Sequence, residues 1–260
     1  HGGTIVVAQD LLDLVAAGGA SGTVAPHLAG VTMLNGTPSA MQMLLETKAI
    51  PPSVVAVELG GEASTAPLVS KLYQAGVACV LNMYGPTECT NECLATVLPG
   101  DLPAASRVPI GRPIANMRAF VVDEHMQLVA LPAAGPGCVD AGTPPTVVGG
   151  DDGGDRTGEL LVSGFGVALG YLRRPELSAQ KFVANPFGGE PQSIPVYRTG
   201  DKVRVRDDGT IEFIGRIDTQ VKIRGFRIEL GEIEHALSSQ VGVRDAVVVL
   251  RSDHTASESM

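Results

Sequence analysis

Four short apolar runs, Thr4 to Ala8, Val31 to Leu34, Val54 to Leu59 and Val77 to Met83, are rich in Val, Leu and Ile without strict alternation. That is the pattern of strands buried on both faces, and the stretches between them read as helices. Residues 1–83 therefore predict alternating β and α elements around a parallel sheet. Thr37 before Pro38 places a capping hydroxyl ahead of a proline at the first helical position and opens a helix through Leu45. Ser64 or Thr65 opens the next, with Leu68, Val69 and Leu72 directed at the sheet.

From about Met117 the pattern changes to strands and turns. Arg118 to Val122 and Gln127 to Leu131 flank a turn at Asp123-Glu124-His125, and Asp207-Asp208-Gly209 turns a hairpin whose second strand is Thr210 to Ile214. An antiparallel, barrel-like subdomain is expected. Residues 132–157, with repeated Gly, Pro and Asp and no periodicity, predict a long surface loop. Near the C-terminus, Val221, Ile223 and Ile228 stand among Lys222, Arg224 and Arg227, which predicts two short strands with one buried face about a turn at Gly225. A helix over Glu229 to Leu237 follows, with Glu229, Glu232 and Glu234 at its positive end and Ile233 and Leu237 on one face. A further strand is expected near Val243 to Leu250.

Composition narrows the function classes. At 44% hydrophobic over 260 residues the chain can bury a core of one large or two ordinary domains. Net charge is −9 with Lys and Arg scattered, so neither a nucleic acid nor an anionic membrane surface is an expected partner. No apolar run approaches a membrane span and no signal segment opens the chain, which makes the cytoplasm the expected location. Cys79, Cys89, Cys93 and Cys138 lack paired C-x-x-C spacing, so free thiols are expected rather than a zinc site or a disulfide framework. Ala17 to Thr23 is rich in small residues but lacks the Lys of a phosphate-cradling loop and reads as a plain loop. The start at His1, inside what looks like a strand turn, reads as a piece of something longer.

Four stretches carry candidate chemistry. Gly60-Gly61-Glu62-Ala63 follows a strand end, where open parallel sheets place their ligand crevice, although an ordinary strand-to-helix turn has the same pattern. In Asn82-Met83-Tyr84-Gly85-Pro86-Thr87-Glu88, glycine and proline break a strand so that an aromatic face, a hydroxyl and a carboxylate emerge together; a turn capped by Thr87 is the alternative. Tyr197-Arg198-Thr199-Gly200-Asp201 presents a carboxylate able to accept both hydroxyls of a ribose, or simply a common Asp turn. Gly215 to Glu234 holds the predicted hairpin and helix start.

The run G-R-I-D-T-Q-V-K-I-R-G-F-R-I-E-L-G-E-I-E closely resembles the hinge motif of the adenylate-forming superfamily, in the version found in amino-acid adenylation domains of nonribosomal peptide synthetases. G-G-E-A, N-M-Y-G-P-T-E and Y-R-T-G-D resemble three further motifs of that family in the same order, and Gly158 to Gly164 with Val167 to Leu172 resembles its G-E-L and G-Y-L block, with Leu169 where an Arg is usual. The resemblance spans the chain apart from 132–157, which it makes an insertion. It implies an α/β fold: the C-terminal half of an adenylate-forming core, with a parallel portion to about residue 116 and a distorted antiparallel barrel over 117–217, followed by the start of a small α+β lid domain from 218.

What the resemblance implies about chemistry is specific. ATP and Mg²⁺ are the expected cofactors, an amino acid the substrate, and phosphopantetheine on a peptidyl carrier protein domain the acceptor, among neighbouring synthetase domains. Tyr84 would lie against the adenine, Gly61, Glu62, Ala63, Asn82 and Gly85 would line the nucleotide site, and Asp201 and Arg216 would meet the ribose. Thr87 near the α-phosphate and Glu88 on Mg²⁺ are the catalytic candidates, and Asp218 the hinge pivot. Asn35, Glu58, Gly60, Met83, Asn91 and Glu92 would line the substrate pocket, a set part threonine-like and part suited to a cationic side chain. The family's phosphate loop would precede residue 1 and its C-terminal catalytic Lys would follow residue 260, so this piece alone is expected to form little adenylate. An acyl-CoA synthetase or related acid–thiol ligase, and a non-catalytic remnant serving as an interaction module, are the alternatives.

Overall fold

The computed structural model describes residues 30–130, 156–187, 194–223 and 226–251. Thr4 to Ala8, the small-residue loop at 17–23, Cys138 and the turn at Gly225 lie outside them, as does nearly all of the predicted loop. Its expected end is corrected, because Thr157 already belongs to a strand and pairs with Arg204.

The first part is built as its pattern predicts. Strand β1 (Met33–Gly36), helix α1 (Pro38–Glu46), β2 (Ala56–Leu59), α2 (Ala66–Gln74) and β3 (Cys79–Tyr84) alternate, and β1, β2 and β3 pair in parallel. Thr37 caps α1 by accepting the Ala40 N–H at 3.3 Å, and Thr65 caps α2 by accepting the Leu68 N–H at 3.4 Å. Each cap satisfies a backbone donor that has no intrahelical partner. Met41 and Leu44 of α1 and Val69 and Leu72 of α2 are fully buried against Val57 and Val80 of the sheet. Truncating any of these leucines to Ala removes about 2–5 kcal/mol.

The switch to antiparallel pairing comes earlier than Met117. Strand β4 (Leu94–Leu98) already runs antiparallel to β3, and β5 (Pro109–Pro113) antiparallel to β4. A short apolar run has the same composition in either direction, and the tight loop from Tyr84 to Leu94 sets the direction here. Strands β6 (Met117–Val122), β7 (Leu128–Ala130), β8 (Thr157–Gly164), β10 (Val196–Val205) and β11 (Ile211–Arg216) extend the same sheet in the order β1-β2-β3-β4-β5-β11-β10-β8-β6-β7. Helix α3 (Pro175–Lys181) and the short β9 (Phe182–Val183) lie beside β10. A second apolar cluster, including Leu94, Val121, Leu160, Val162, Tyr197 and Ile211, fills this part.

Beyond Arg216, β12 (Val221–Ile223) and β13 (Phe226–Ile228) pair antiparallel and lead into α4 (Leu230–Ser238). Glu229 precedes α4 but its side chain does not cap it. The expected apolar face exists, yet Ile233 and Leu237 are 41% and 45% exposed. The strand expected near Val243 to Leu250 is not formed, since no strand lies beside it among the described residues to complete a ladder.

Candidate functional site

Two segments carry the site, the turn after β3 and the middle of β10. After Tyr84 the chain turns through Gly85 and Pro86 into a single helical turn, Thr87–Cys89, and returns as β4. The return path lies directly on Gly85: a Cβ there would sit 1.8 Å from the Asn91 carbonyl oxygen. A side chain at Gly85 would therefore push the Thr87–Glu92 loop off its seat. Thr87 remains exposed, whereas Glu88 is buried. The loop is fastened to the segment after β8 by Thr90 Oγ1 donating to the Gly166 carbonyl at 2.7 Å and the Ala168 N–H donating to the Glu88 carbonyl at 2.8 Å.

On β10, the pairing with β8 shifts register between Arg198 and Lys202. Gly200 takes φ +72 inside this irregularity, a backbone region that disfavours side chains. Glu159 of β8 holds the bend from below, accepting from Arg198 Nη2 at 2.6 Å and from the Gly200 N–H at 3.2 Å. Thr199 donates to the Leu160 carbonyl at 2.6 Å and accepts from the Asp201 N–H at 3.0 Å. The bend thus aims Asp201 at the β3 turn.

There the Tyr84 hydroxyl donates to Asp201 Oδ2. Arg216 Nη1 donates to Asp201 Oδ1 and to the Thr199 carbonyl, both at 2.8 Å. The rest of the guanidinium grips Asp218 in a fork, Nε to Oδ1 at 2.8 Å and Nη2 to Oδ2 at 2.5 Å. Four of the sequence-predicted residues, Tyr84, Asp201, Arg216 and Asp218, thus form one connected chain. Burial raises the Tyr84 hydroxyl well above its usual pKa, with Asp201 beside it adding to the effect, so it stays a neutral donor. Burial raises the Asp218 carboxyl too, but Arg216 outweighs it and holds Asp218 below the usual value.

Glu88 sits in a second cluster. Its Oε1 accepts from the Tyr171 hydroxyl at 2.6 Å, and Arg227 Nη1 lies 2.9 and 3.1 Å from its two oxygens. Burial pushes the Glu88 carboxyl up, and the Tyr171 hydrogen bond, a backbone N–H and Arg227 together pull it below its ordinary value. Burial and the Glu88 charge push the Tyr171 hydroxyl up to about 12. Tyr171 packs edge-on against Phe182, which leans on Tyr197, with centroids 5.3 and 5.1 Å apart. Glu88 therefore stands as an ionised carboxylate on an aromatic floor.

The remaining predicted residues divide. Asn35 Nδ2 donates to Glu58 Oε2 at 2.9 Å between the directly opposed residues of β1 and β2. A Cβ on Gly60 would lie 3.2 Å from Glu92 Oε1 and 3.7 Å from the Met83 carbonyl, so these three share one corner at the carboxyl ends of the parallel strands. Asn91 meets the site through its backbone, over Gly85. Two of the residues expected at the nucleotide site have side chains that are hydrogen-bonded within the chain. Asn82 is 3% exposed and turned inward, accepting from Ser64 Oγ at 2.8 Å and donating to the Pro109 carbonyl at 2.7 Å. Glu62 accepts from the Ser39 N–H at 3.1 Å and Ser39 Oγ at 3.0 Å, one on each oxygen. Both side chains tie loops together, while Gly61 and exposed Ala63 continue the turn.

Sequence reasoning missed Tyr171, Arg227 and Glu159. Each lies inside a stretch that the motifs covered, and the visible signal was an uncommitted polar group next to a glycine or a strand. Among the described residues no cluster of three or more His, Cys, Asp or Glu could hold a metal. A single carboxylate with no further protein ligand suits Mg²⁺, which keeps waters and takes its other ligands from substrate phosphates. Glu88 fits that role, provided that Arg227 gives way.

The chain resembles known proteins over most of its length. The family model described as AMP-binding enzyme matches residues 1–172. A linear gramicidin synthase of Brevibacillus parabrevis is 40% identical over 253 residues, 97% of this chain and 4% of that protein. The structure of holo-PA1221, a nonribosomal peptide synthetase protein containing adenylation and carrier domains bound to a vinylsulfonamide inhibitor, superposes with a TM-score of 0.70 at 27% identity, over 95% of this chain and 38% of that one. A four-domain synthetase, holo-AB3403 bound to AMP and glycine, gives a TM-score of 0.59 at 35% identity, over 96% of this chain and 16% of its own. The chain thus spans a small part of the relatives it matches. It belongs to the AMP-binding enzyme family, among the adenylation units of nonribosomal peptide synthetases.

Proposed function

We propose that this chain is the C-terminal part of a unit that activates an amino acid as aminoacyl-AMP and passes it to a phosphopantetheine thiol on a peptidyl carrier domain. The observation that carries the reading is the Tyr84–Asp201–Arg216–Asp218 chain, which joins a strand-end aromatic, a bent-strand carboxylate and the predicted hinge through hydrogen bonds. In this reading Asp201 and Arg216 take the ribose, Tyr84 stacks the base, exposed Thr87 faces the α-phosphate and Glu88 holds Mg²⁺. The metal ion, when bound, neutralises phosphate charge. The chain's own residues orient the nucleotide and keep Glu88 ionised, since carboxylate attack on phosphorus needs alignment more than nucleophile activation.

The same reading divides the chain at the hinge, with residues 1–217 in the large core and 218–260 opening the small lid domain. Asn35, Glu58, Gly60, Met83, Asn91 and Glu92 line the amino-acid pocket, whose Asn35–Glu58 pair and Glu92 favour a substrate with a hydroxyl or a positive charge. A cytoplasmic setting goes with it, and among the described residues no helix is long and apolar enough to cross a membrane.

The test is amino-acid-dependent pyrophosphate exchange, run on the longest reading frame that contains this chain. Glu88→Ala and Asp201→Ala are each expected to lower exchange about a hundredfold or more, as losses of preorganised charge do. Near-normal exchange removes the altered residue from the site. Preference for a large apolar acid across the common amino acids would overturn the pocket assignment alone.

A further inference from the structure

Arg227 stands where a metal ion on Glu88 would have to compete with it. Its Nη1 reaches both Glu88 oxygens, at 2.9 and 3.1 Å, and Tyr171 takes a further position on Oε1 at 2.6 Å. The Glu88 side chain is 8% exposed, so little of the carboxylate is open to a second cation while Arg227 remains. Two cations cannot share one carboxylate at bonding distance without strong mutual repulsion. The guanidinium, by contrast, has room to leave. The Arg227 side chain is 36% exposed, and Glu229 on the same segment stands 3.4 Å from its Nε as a second anionic partner. Helix α4, which follows β13, buries none of its residues, so apolar packing offers little resistance to a shift of this segment. Arg216 differs on each count, with a side chain 18% exposed and partners on Asp201, Thr199 and Asp218.

We infer that Arg227 is a resident counter-cation that exchanges with the divalent metal at Glu88: metal binding releases Arg227 and loosens the β12–β13 hairpin, and metal departure lets Arg227 return. This rests on the reading of Glu88 as the metal-holding residue. No covalent bond changes, and charge at Glu88 is balanced in both states. The coupling is reciprocal, so a hairpin held against Glu88 weakens metal binding by the same factor by which metal weakens the hairpin contact.

The experiment is a Mn²⁺ titration followed by electron paramagnetic resonance on the 260-residue chain with AMP present, for wild type, Glu88→Gln, Arg227→Met and Arg227→Lys. Glu88→Gln is expected to weaken Mn²⁺ binding about tenfold or more. Arg227→Met, which keeps an apolar stem and removes the charge, is expected to tighten it about threefold to tenfold, with Arg227→Lys between it and wild type. If Glu88→Gln leaves Mn²⁺ affinity unchanged, the metal role of Glu88 fails and the exchange with it. If Glu88→Gln weakens binding but Arg227→Met does not tighten it, the exchange alone is refuted. Amide hydrogen exchange gives a readout independent of metal affinity. Saturating Mg²⁺ should speed exchange at Val221 to Ile223 and Phe226 to Ile228 in wild type and leave Arg227→Met unaffected. An equal response of the two proteins, or none in wild type, overturns the proposal.

Discussion

Asp201 and Glu88 are each buried carboxylates met by one tyrosine and one arginine, but the two are held in different ways. Asp201 sits in a bent strand, and its arginine, Arg216, lies on the adjoining strand β11 directly opposite it in the register. Glu88 sits in a tight loop, and its arginine reaches over from a hairpin outside the large sheet. The Arg216 side chain is 18% exposed and that of Arg227 is 36%. The same chemistry thus gives a fixed clamp where the backbone ladder already aligns the partners. It gives a releasable contact where, among the described residues, only side chains hydrogen-bond across the gap.

The largest test of this contrast is removal of each arginine. Arg216→Ala leaves Asp201 and Asp218 without their shared counter-charge and should destabilise the fold by about 2–3 kcal/mol. Arg227→Ala should cost less, about 1–2 kcal/mol, because Arg227 is itself 36% exposed and the buried Glu88 keeps its hydrogen bond from Tyr171. Urea denaturation of the two variants checks this, and equal midpoints would erase the distinction between clamp and releasable contact.

Next comes the backbone that makes the clamp. Gly200 has φ +72, and a Cβ there would stand 2.9 Å from Arg216 Nη2 and 3.1 Å from Asp218 Oδ2. Gly200→Ala should therefore cost about 1–3 kcal/mol and weaken AMP binding, read by calorimetry. Gly215→Ala is a useful control, since nothing lies within 4 Å of the added atom. Similar losses at both positions would show that the bend does not position Asp201.

A smaller effect separates the tyrosines. Tyr171→Phe removes one hydrogen bond to Glu88 and should cost about 0.5–1.5 kcal/mol. Tyr84→Phe should also lower nucleotide affinity, because Tyr84 touches the carboxylate assigned to the ribose.

The smallest is a pH effect with a defined sign. The Glu88 carboxyl is held below its ordinary value of 4.5 and that of Asp218 below 3.8. Each folded-state value is depressed, so the stability they add is present above the ordinary value and is lost as pH falls through the folded one. Unfolding measured from pH 6 down to pH 2 should show wild type losing stability below about pH 4.5, with a shallower loss in Arg227→Ala. An unchanged slope would mean that Arg227 does not keep Glu88 ionised. Tyr171, raised to about 12, adds no pH dependence across that range, since its contribution is fully present there and is lost only as pH climbs past its ordinary value of 10.0.

What the sequence determined by itself was local. The caps at Thr37 and Thr65, the proline-started helices and the three parallel strands follow from residues within one turn or one strand of each other. Tyr84, Glu88 and Asp201 stand in turns broken by glycine or proline, which singled them out, whereas Arg216 and Asp218 were picked out only by the family resemblance of the run from Gly215 to Glu234. Tertiary structure decided whatever depends on a partner distant in the chain. Tyr171 and Arg227 converge on Glu88 from 83 and 139 residues away, and no spacing in the sequence encodes that meeting. Asn82 turned inward because Ser64 and Pro109 offered hydrogen-bond partners there, and a buried polar group goes to the partner within reach, while the partly exposed Glu62 reached across to Ser39. The apolar run at Val243 to Leu250 has strand composition but no strand, because a β-ladder is a property of two segments and composition belongs to one.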